Sequence, residues 1–370
     1  MCEMCNTMTI KAAVTHSPDD PYVLEDVELA EPQNDEILVK VMACGLCHTD
    51  EFGRTIGLPM PLVLGHEGAG IVEKTGPGVH DIQVGDHVVF SYASCGHCKN
   101  CISGKPQYCY NFNQINFGGV GADGKTKLSQ HGKPVSMFFG QSSLATYSVV
   151  SERSAVKIDK DVDLAMVAPC GCGIQTGSGA VLNTLKPRPD ETIAVFGCGA
   201  VGMSAIMAAK ISNCEKIIAV GGNAKSLELA KELGATHTVN RKEVDDVVGA
   251  IRDLTGGGVN YAIDTSGHGA MILNAIRSTA YNGTMLPIAP TGVIKEFDIG
   301  TEVLMQMRTI KGIDVGDSIP KIFIPILVSH FKAGRFPVDK IITKFKFSEL
   351  EQARQASITG KVIKAVVTMD

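Results

Sequence analysis

Four cysteines lie close together in one short segment, at Cys95, Cys98, Cys101 and Cys109. The spacing C-x2-C-x2-C-x7-C lets a loop fold back so that four thiolates meet at the corners of a tetrahedron. Zinc in structural sites is bound in this way, and no coordination position stays open for chemistry. A disulfide is a poorer interpretation, because cysteines separated by two residues rarely form an unstrained bridge. The run therefore predicts a closed, structural zinc site, and His97 inside it is interpreted as a loop residue.

Three dispersed residues, Cys47, His66 and Cys172, form a second set of metal-ligating side chains. Two thiolates and one imidazole bind zinc and leave one position open, as a catalytic zinc requires. Their spacing along the chain does not establish that they meet in the fold. The residues alone therefore indicate a candidate catalytic metal site and leave it open.

Glycines at Gly197, Gly199 and Gly202 form the pattern G-x-G-x-x-G. The pattern directly follows an apolar stretch at 193–196, which predicts a strand, and it opens a helical stretch that continues through Lys210. Glycines in this setting permit a tight turn and let a pyrophosphate approach the N–H groups of a helix N-terminus. The pattern predicts a dinucleotide site; the alternative is a glycine turn that only packs the helix on the sheet.

Cofactor preference is indicated by the end of the next predicted strand. Sites for NAD place Asp or Glu about 20 residues beyond the glycines, where the carboxylate binds a ribose hydroxyl. The residue 19 positions after Gly202 is Gly221, and Gly222, Asn223 and Lys225 follow. No carboxylate repels a 2′-phosphate here, whereas Asn223 can donate hydrogen bonds and Lys225 supplies a cation. The sequence predicts NADP(H) over NAD(H); the alternative is a solvent-exposed lysine in an NAD site that lacks one contact.

The elements that must position these residues change in character along the chain. Up to about residue 170, short β-like runs such as 37–41, 70–73 and 87–90 are separated by Gly and Pro. From residue 193, strands at 193–196, 216–220 and 261–264 alternate with helices, which is typical of βαβ units on a parallel sheet. A helix and an apolar strand follow between 349 and 368. The layout predicts a β-rich domain interrupted by an inserted doubly wound domain.

Composition limits the possible functions. A length of 370 residues favours two domains at about 150 residues each. The net charge of −5 argues against a nucleic-acid or anionic-membrane partner. No apolar run approaches the ~20 residues that a membrane span needs, and the first ten residues lack the features of a signal peptide. The sequence predicts a cytoplasmic protein.

Twelve cysteines in such a chain indicate metal binding and free thiols rather than a disulfide framework. The pairs Cys2 and Cys5, and Cys44 and Cys47, also have C-x-x-C spacing. A redox function is the alternative interpretation of such pairs; for Cys2 and Cys5 the favoured one is unpaired, reduced thiols.

Five motifs together resemble those of the zinc-dependent alcohol dehydrogenases of the medium-chain dehydrogenase/reductase superfamily, and the match extends over nearly the whole chain. They are Cys-x-Thr-Asp at 47–50, Gly-His-Glu-x-x-Gly at 65–70, the four-cysteine run, Gly-Cys-Gly at 171–173 and the glycine pattern at 197–202. Within that family, the Ser91-Tyr92 segment and an absent relay histidine are most similar to the aryl, or benzyl-type, alcohol dehydrogenases.

The resemblance implies an α/β fold, in which a Rossmann doubly wound parallel sheet is inserted in a β-rich GroES-like catalytic domain. We expect the catalytic domain to comprise residues 1–173 and 315–370, and the dinucleotide-binding domain to comprise residues 174–314. Relatives pair edge strands of their cofactor domains, and the apolar run at 309–313 is the candidate edge. A homodimer or a homotetramer is therefore expected.

The resemblance makes Cys47, His66 and Cys172 the catalytic zinc ligands. Cys170 is a competing candidate, but the Gly-Cys-Gly context favours Cys172. The resemblance thus implies two zinc ions per chain, one catalytic and one structural.

Residues beside these ligands also match family positions. Asp50 and Glu67 would orient a ligand and tune the charge of the metal. Thr49 matches the hydroxyl residue that bonds the substrate oxygen and starts proton transfer. Many relatives continue that relay at a histidine where this chain has Phe52. His48 matches a position that meets the cofactor pyrophosphate; a proton shuttle or simple exposure are the alternatives.

Three further positions match family contacts to the cofactor. Thr176 and Val201 match residues around the nicotinamide. Lys364 matches a basic residue near the C-terminus that meets the pyrophosphate, although lysine offers a point charge where arginine offers a fork.

The substrate is expected to be a small alcohol or aldehyde in an apolar pocket lined by Phe52, Tyr92 and Met60. Aromatic walls favour aromatic, allylic or medium-chain primary alcohols and their aldehydes. No basic residue lies between Cys109 and Lys125, which counts against the glutathione adducts that some relatives oxidise. The leading prediction is an NADP-dependent zinc alcohol dehydrogenase acting mainly as an aldehyde reductase. An NAD-dependent aryl-alcohol dehydrogenase and a secondary-alcohol or polyol dehydrogenase are the alternatives.

Overall fold

A computed structural model of the chain describes residues 7–289 and 293–369. The cysteine pair Cys2 and Cys5 lies outside these described residues. The chain divides into two compact units: the first comprises Met1–Cys172, Ile319–Ser329 and Val338–Asp370, and the second comprises Gly173–Ser318 and His330–Pro337. The ranges predicted from the sequence differ from these units mainly at 315–318 and 330–337, both of which group with the second unit.

Eighteen strands lie within the described residues, and we number them in chain order. They are β1 Thr7–Thr15, β2 Val23–Ala30, β3 Glu36–Gly45, β4 Leu62–Val63, β5 Gly68–Thr75, β6 His87–Phe90, β7 Leu128–Gln130, β8 Lys133–Val135, β9 Tyr147–Ser151, β10 Ala155–Ile158, β11 Thr192–Phe196, β12 Lys216–Gly221, β13 His237–Asn240, β14 Val259–Asp264, β15 Thr279–Pro287, β16 Thr309–Ile310, β17 Ile342–Lys346 and β18 Lys364–Thr368.

The α-helices of the same described residues are also numbered in chain order. They are α1 His48–Thr55, α2 Lys99–Ile102, α3 Phe112–Phe117, α4 Leu164–Val167, α5 Gly173–Gly179, α6 Ala200–Ile211, α7 Ala224–Leu233, α8 Val247–Thr255, α9 Gly269–Ser278, α10 Pro320–Lys332 and α11 Leu350–Ile358. Short 3-10 or π turns lie at Pro106–Tyr108, Glu152–Ser154, Ala168–Gly171, Ala180–Leu185, Gly300–Leu304, Val315–Asp317, Val338–Ile341 and Phe347–Glu349. Among these helices, none is long and apolar enough to cross a membrane. The cytoplasmic location stays a prediction.

The first unit is built on two mainly antiparallel sheets. One has the strand order β4-β1-β2-β7-β8; the other has the order β10-β6-β5-β3-β18-β17, and β9 also pairs with β3. Buried clusters, one around Val27 and Leu38 and another around Val72 and Phe90, form its apolar core. The runs predicted at 37–41, 70–73 and 87–90 are strands β3, β5 and β6. This scaffold carries both candidate metal sites.

The second unit is built on one parallel sheet with the order β13-β12-β11-β14-β15-β16. Because β11 lies in the middle and the chain winds outward from it in both directions, this is the doubly wound order of dinucleotide-binding folds. Every residue of β11 is buried, as expected for a central parallel strand covered on both faces. The predicted doubly wound sheet is thus confirmed, and the strand predicted near 309 forms its edge as β16.

The glycine pattern forms the turn from β11 into α6. Gly197 has a φ angle of +106°, which side chains of L-residues rarely permit. A Cβ on Gly202 would lie 1.9 Å from the carbonyl oxygen of Gly197. Both positions therefore require glycine, and the first turn of α6 keeps N–H groups without partners in the helix, where such folds accept a pyrophosphate.

Candidate functional site

The four cysteines of the run converge in the first unit, where their sulfur atoms all lie within 4.8 Å of one another. The Sγ atom of Cys101 lies 3.9 Å from that of Cys95 and 3.5 Å from that of Cys98. A tetrahedral zinc with bonds of about 2.3 Å would place its sulfur ligands about 3.8 Å apart, so the cluster has the right size. Backbone N–H groups of Cys95 and Cys98 donate to the sulfurs of Cys109 and Cys95. His97 lies 2.8 Å from the carbonyl oxygen of Cys95 through Nδ1 and is not part of the cluster.

Local structure explains why this loop folds back. Helix α2 begins directly after Cys98, so Cys98 and Cys101 share one turn. The Nδ2 group of Asn100 donates to the carbonyl oxygen of Tyr108 at 2.5 Å and closes the loop just before Cys109. Hydrogen bonds from backbone N–H groups, led by that of Cys101, lower the pKa of Cys98 to about 6. A thiolate at neutral pH is the form that binds zinc.

The dispersed candidate ligands also meet in the first unit. Ligand atoms of Cys47, His66, Glu67 and Cys172 all lie within 4.8 Å of one another. We call these four residues the Cys47 cluster. Cys170 is buried but is not one of the clustered residues. The structure therefore brings together the three residues that the sequence singled out, and it adds a carboxylate.

One carboxylate orders the segments on both sides of this cluster. Asp50, in the first turn of α1, accepts from the N–H of Cys47 at 3.0 Å and from the N–H of Gly65 at 3.1 Å. Its Oδ1 atom lies 2.7 Å from Nδ1 of His66. Because Nδ1 donates to Asp50, the Nε2 atom of His66 is the one available to a metal. That atom is buried and has no hydrogen-bond partner among the described residues.

Two aromatic side chains that the sequence did not single out hold the imidazole of His66. The ring of Phe139 stacks on it with centroids 4.6 Å apart, and the ring of Phe138 meets it edge-on at 5.6 Å. The N–H of Phe139 donates to the carbonyl oxygen of Asn116. Two consecutive phenylalanines at the end of a long glycine-rich stretch were the only signal for this contact.

The two thiols of the Cys47 cluster behave as a pair. A hydrogen bond between them lowers the pKa of Cys47 well below its ordinary value and raises the pKa of Cys172 well above it. A metal bound to both sulfurs would displace the shared proton. Cys44, which has C-x-x-C spacing with Cys47, is a buried free thiol 3.3 Å from the hydroxyl of Ser143.

A buried ion pair that the sequence did not indicate lies beside the cluster. The Nζ atom of Lys364 lies 2.5 Å from Oε2 of Glu67 and donates to the carbonyl oxygen of Leu46 at 2.9 Å. Both charged side chains are almost fully buried. The ammonium of Lys364 thus has two acceptors among the described residues, and its predicted contact with a pyrophosphate stays a prediction. Burial raises the pKa of Glu67 to about 7, although the ammonium opposes this effect.

A missing side chain makes room for that carboxylate. A Cβ on Gly45, at the end of β3, would lie 2.1 Å from Oε2 of Glu67. Gly171 is confined in a similar way, because a Cβ there would lie 2.1 Å from the carbonyl oxygen of Phe90. Gly45, two residues before Cys47, and Gly171, directly before Cys172, are therefore positions where the structure leaves no room for a side chain.

Helix α1 presents the other predicted residues. The hydroxyl of Thr49 lies 3.7 Å from Sγ of Cys47, beside the Cys47 cluster. His48 is exposed, and its predicted contact with a phosphate stays a prediction. Phe52 is 46% exposed, with its ring 6.0 Å from that of Phe117.

The predicted pocket residue Tyr92 belongs to a larger aromatic group, which we call the aromatic cluster. Successive ring-to-ring contacts connect Tyr92 to His66. The members of the cluster are Tyr92, Phe112, Phe117, Phe138 and Phe139. Asn116 fixes the segment after Tyr92, because its side chain accepts from the N–H and donates to the carbonyl oxygen of Ala93, both at 2.9 Å. Met60 is half-buried. The sequence identified one ring of this cluster and missed the rest.

The predicted cofactor residues lie in the second unit, with the exception of His48 and Lys364. Thr176 lies in α5 and Val201 in α6, and these helices pack closely: a Cβ on Gly177 would lie 1.9 Å from the carbonyl oxygen of Val201. Asn223 uses its side-chain oxygen to cap α7, accepting from the N–H groups of Lys225 and Ser226. Only its amide nitrogen therefore remains as a donor to a ligand.

Comparison with known proteins gives concordant results. Residues 33–160 match the family described as "Alcohol dehydrogenase GroES-like domain", and residues 200–329 match "Zinc-binding dehydrogenase". The chain is 40% identical over 367 residues to geraniol dehydrogenase of Castellaniella defragrans, covering 97% of this chain and 98% of that protein. It is 35% identical to alcohol dehydrogenase class-P of Arabidopsis thaliana, covering 97% of each.

Comparison with solved structures gives the same family. The crystal structure of benzyl alcohol dehydrogenase from Acinetobacter calcoaceticus matches with a TM-score of 0.94 and 41% identity, covering 98% of this chain and 100% of that one. An alcohol dehydrogenase zinc-binding domain protein from Burkholderia ambifaria matches with a TM-score of 0.95 and 44% identity, covering 99% and 100%. The resemblance predicted from the motifs is therefore confirmed.

Replacing Asp50 with Asn should weaken zinc binding at the Cys47 cluster. The amide cannot accept from Cys47, Gly65 and His66 as a carboxylate does, so we expect about a 10- to 100-fold loss of zinc affinity. The measurement is zinc retained after dialysis against graded chelator. Asp26→Asn is the control, since this carboxylate is exposed and pairs with Lys11. Chelator curves that coincide for Asp50→Asn and the parent protein would contradict the role given to Asp50.

Replacing Lys364 with Met should leave a buried carboxylate uncompensated. We expect a loss of about 3 kcal/mol in the free energy of unfolding, measured with urea, and partial recovery when Glu67→Gln is added. The recovery distinguishes a charge effect from a packing effect. Equal losses in the single and double variants would mean that the ion pair itself has no part in stability.

Proposed function

Since the chain belongs to the zinc-dependent alcohol dehydrogenases of the medium-chain dehydrogenase/reductase superfamily, we propose that it transfers hydride between NADP(H) and small primary alcohols or aldehydes, mainly as an aldehyde reductase. The observation that carries the proposal is the Cys47 cluster, in which two sulfurs and the unsatisfied Nε2 atom of His66 converge. Three protein ligands of these types leave the fourth position of zinc open to a substrate.

We assign a separate role to each residue in and beside the Cys47 cluster. Cys47, His66 and Cys172 would hold zinc, which supplies a Lewis acid that lowers the pKa of the alcohol. Asp50 holds the imidazole of His66 in the tautomer that a metal ligand needs. The Thr49 hydroxyl, 3.7 Å from Sγ of Cys47, would exchange a proton with the substrate oxygen.

Beyond Thr49 the proton route differs from that of many relatives. Phe52 stands where they carry a histidine, and a phenyl ring cannot accept or donate the proton. His48 is the nearest imidazole along the chain and is exposed, so it can exchange protons directly with water. We assign His48 to the cofactor phosphate first, and a role in proton release is the alternative.

A second zinc would occupy the four-cysteine site. Its sulfurs are spaced for a tetrahedral ion, and four thiolates complete the coordination. Because no position stays open, this zinc would stabilise the lobe and take no part in hydride transfer. Two zinc ions per chain follow from the proposal.

NADP(H) is supported by the turn that follows β12. Gly221, Gly222, Asn223 and Lys225 offer no carboxylate to repel a 2′-phosphate and supply one cation. Thr176, Val201 and the glycines at 197, 199 and 202 would contact the rest of the dinucleotide. An NAD-dependent enzyme is the alternative.

The aromatic cluster supports aromatic or allylic primary alcohols and their aldehydes as substrates, and medium-chain alcohols also fit an apolar wall. The relatives named geraniol and benzyl alcohol dehydrogenase point the same way, since geraniol is an allylic and benzyl alcohol an aromatic primary alcohol. Phe52 and Tyr92 remain the proposed pocket residues. A secondary-alcohol or polyol dehydrogenase is the alternative.

Self-association is proposed through β16 at the edge of the parallel sheet. An edge strand exposes unpaired N–H and C=O groups that a second copy can complete. Exposed apolar side chains at Met305, Met307 and Ile310 accompany this edge. A homodimer or a homotetramer would result.

Initial rates on a panel of benzyl, cinnamyl, linear and secondary alcohols and their aldehydes, with each cofactor, test the proposal. We expect kcat/KM to be at least about tenfold higher with NADP(H) than with NAD(H), because a carboxylate is missing and a cation is present. The kcat/KM for benzyl or cinnamyl substrates should be higher than that for secondary alcohols. A preference for NAD(H), or faster turnover of secondary alcohols, would make the corresponding part of the proposal wrong.

A further inference from the structure

Basic residues from two separate segments lie at or next to the turn after β12. A Cβ on Gly222 would lie 3.1 Å from Nε and 3.3 Å from Cζ of Arg241, and 3.3 Å from Cε of Lys242. The guanidinium of Arg241 therefore lies directly against the backbone of this turn. Lys225 follows three residues after Gly222. The sequence indicated the lysine at 225 and gave no local sign of the other two.

The two segments are fixed to each other by the sheet. Strands β12 and β13 pair in parallel with Gly221 opposite Asn240, and the N–H of Arg241 donates to the carbonyl oxygen of Gly221 at 2.8 Å. The side-chain oxygen of Asn240 then accepts from the N–H of Lys242. Arg241 and Lys242 thus leave the sheet at the same level as Gly222, because backbone hydrogen bonds hold them there.

The charge of this group is not balanced by acidic partners. No carboxylate of the described residues forms an ion pair with Lys225, Arg241 or Lys242, in contrast to Lys231 on α7, which pairs with Glu228 at 2.9 Å. The nearest acid along the chain, Glu243, accepts a hydrogen bond from the side chain of Asn240. Two cationic side chains beside a glycine turn, with Lys225 three residues further along the chain, favour an anionic ligand.

We propose that Arg241, assisted by Lys242, binds the 2′-phosphate of NADP(H), an inference that rests on the cofactor proposed above. In doubly wound folds the end of the second strand meets the ribose that carries the 2′ group. The planar guanidinium offers two parallel N–H donors to a phosphate, and the lysine adds a point charge. Gly222 has no side chain in the space beside Arg241, so the phosphate can approach it.

Equilibrium binding to the full chain tests this assignment without relying on turnover. The probes are NADPH, NADH, 2′,5′-ADP and 5′-ADP, titrated by calorimetry at fixed ionic strength. Arg241→Ala should lower the affinity for NADPH and for 2′,5′-ADP by about 10- to 100-fold, the range expected when a hydrogen bond to a charged group is lost. Binding of NADH and 5′-ADP should stay within about twofold. Arg241→Lys should lose part of the affinity, because it keeps the charge without the fork.

Two further variants sharpen the result. Gly222→Asp would place a carboxylate beside Arg241 and should reverse the preference toward NADH; the φ angle at Gly222 is one that L-residues adopt. Lys231→Ala is the matched control, because it removes an exposed cation of the same unit and should leave all four affinities unchanged. The Arg241 side chain is exposed, so the thermal unfolding temperature should not move.

The outcomes separate the two proposals. If the parent protein binds NADPH better than NADH, but Arg241→Ala weakens both alike or neither, Arg241 does not read the 2′-phosphate and the proposed cofactor stands. If the parent protein binds NADH better and gains nothing from the 2′-phosphate of 2′,5′-ADP, the proposed cofactor is wrong, and this inference is wrong with it.

Discussion

A single buried carboxylate, that of Asp50, fixes the segments from which two candidate zinc ligands come. It accepts from the backbone of Cys47 and Gly65 and from the imidazole of His66. A carboxylate buried to this extent is costly unless its oxygen atoms are satisfied. The start of α1 and the segment before β5 must therefore take one relative position for the first unit to fold. The ligand geometry is consequently set by the protein and does not wait for a metal.

Further contacts hold α1 itself. Arg54 is almost fully buried and donates from one nitrogen to Thr15, Pro18 and Asp20, and its guanidinium lies 4.2 Å from the centroid of the Tyr22 ring. On the same helix, Glu51 accepts two bonds of 2.7 Å from Arg354. Such bidentate pairs restrict geometry more than single contacts do. The helix that carries Thr49 is thus held in one position, as the proton transfer proposed for its hydroxyl requires.

Sequence patterns anticipated those features that short-range spacing encodes. The four-cysteine loop, the glycine turn and the strands β3, β5, β6 and β11 all follow from local residue order and periodicity. Contacts between residues that are remote in sequence were harder to predict. The contact of Glu67 with Lys364 joins residues 297 positions apart, and no local pattern indicates it. The match to relatives assigned Lys364 to the cofactor and did not indicate Glu67, because a family position carries a residue type but not its contacts in this chain.

Residues that support a site were missed for a related reason. Phe138, Phe139 and Asn116 lie in a glycine-rich stretch whose helix and strands are short, and their importance appears only from the contacts of the two rings with His66 and of Asn116 with Ala93. Arg241 reaches the turn after β12 because strand β13 pairs beside it. Tertiary pairing creates these contacts, so composition and spacing could not predict them.

The central claim is that one chain holds one closed and one open zinc site. Zinc K-edge X-ray absorption of the purified full chain, with its metal content, tests it most directly. Six thiolates shared by two zinc ions give an average of about three sulfur ligands per zinc at about 2.3 Å, together with a nitrogen contribution from His66. About four sulfur ligands per zinc, with a single zinc per chain, would contradict the claim, because the Cys47 cluster would then hold no metal.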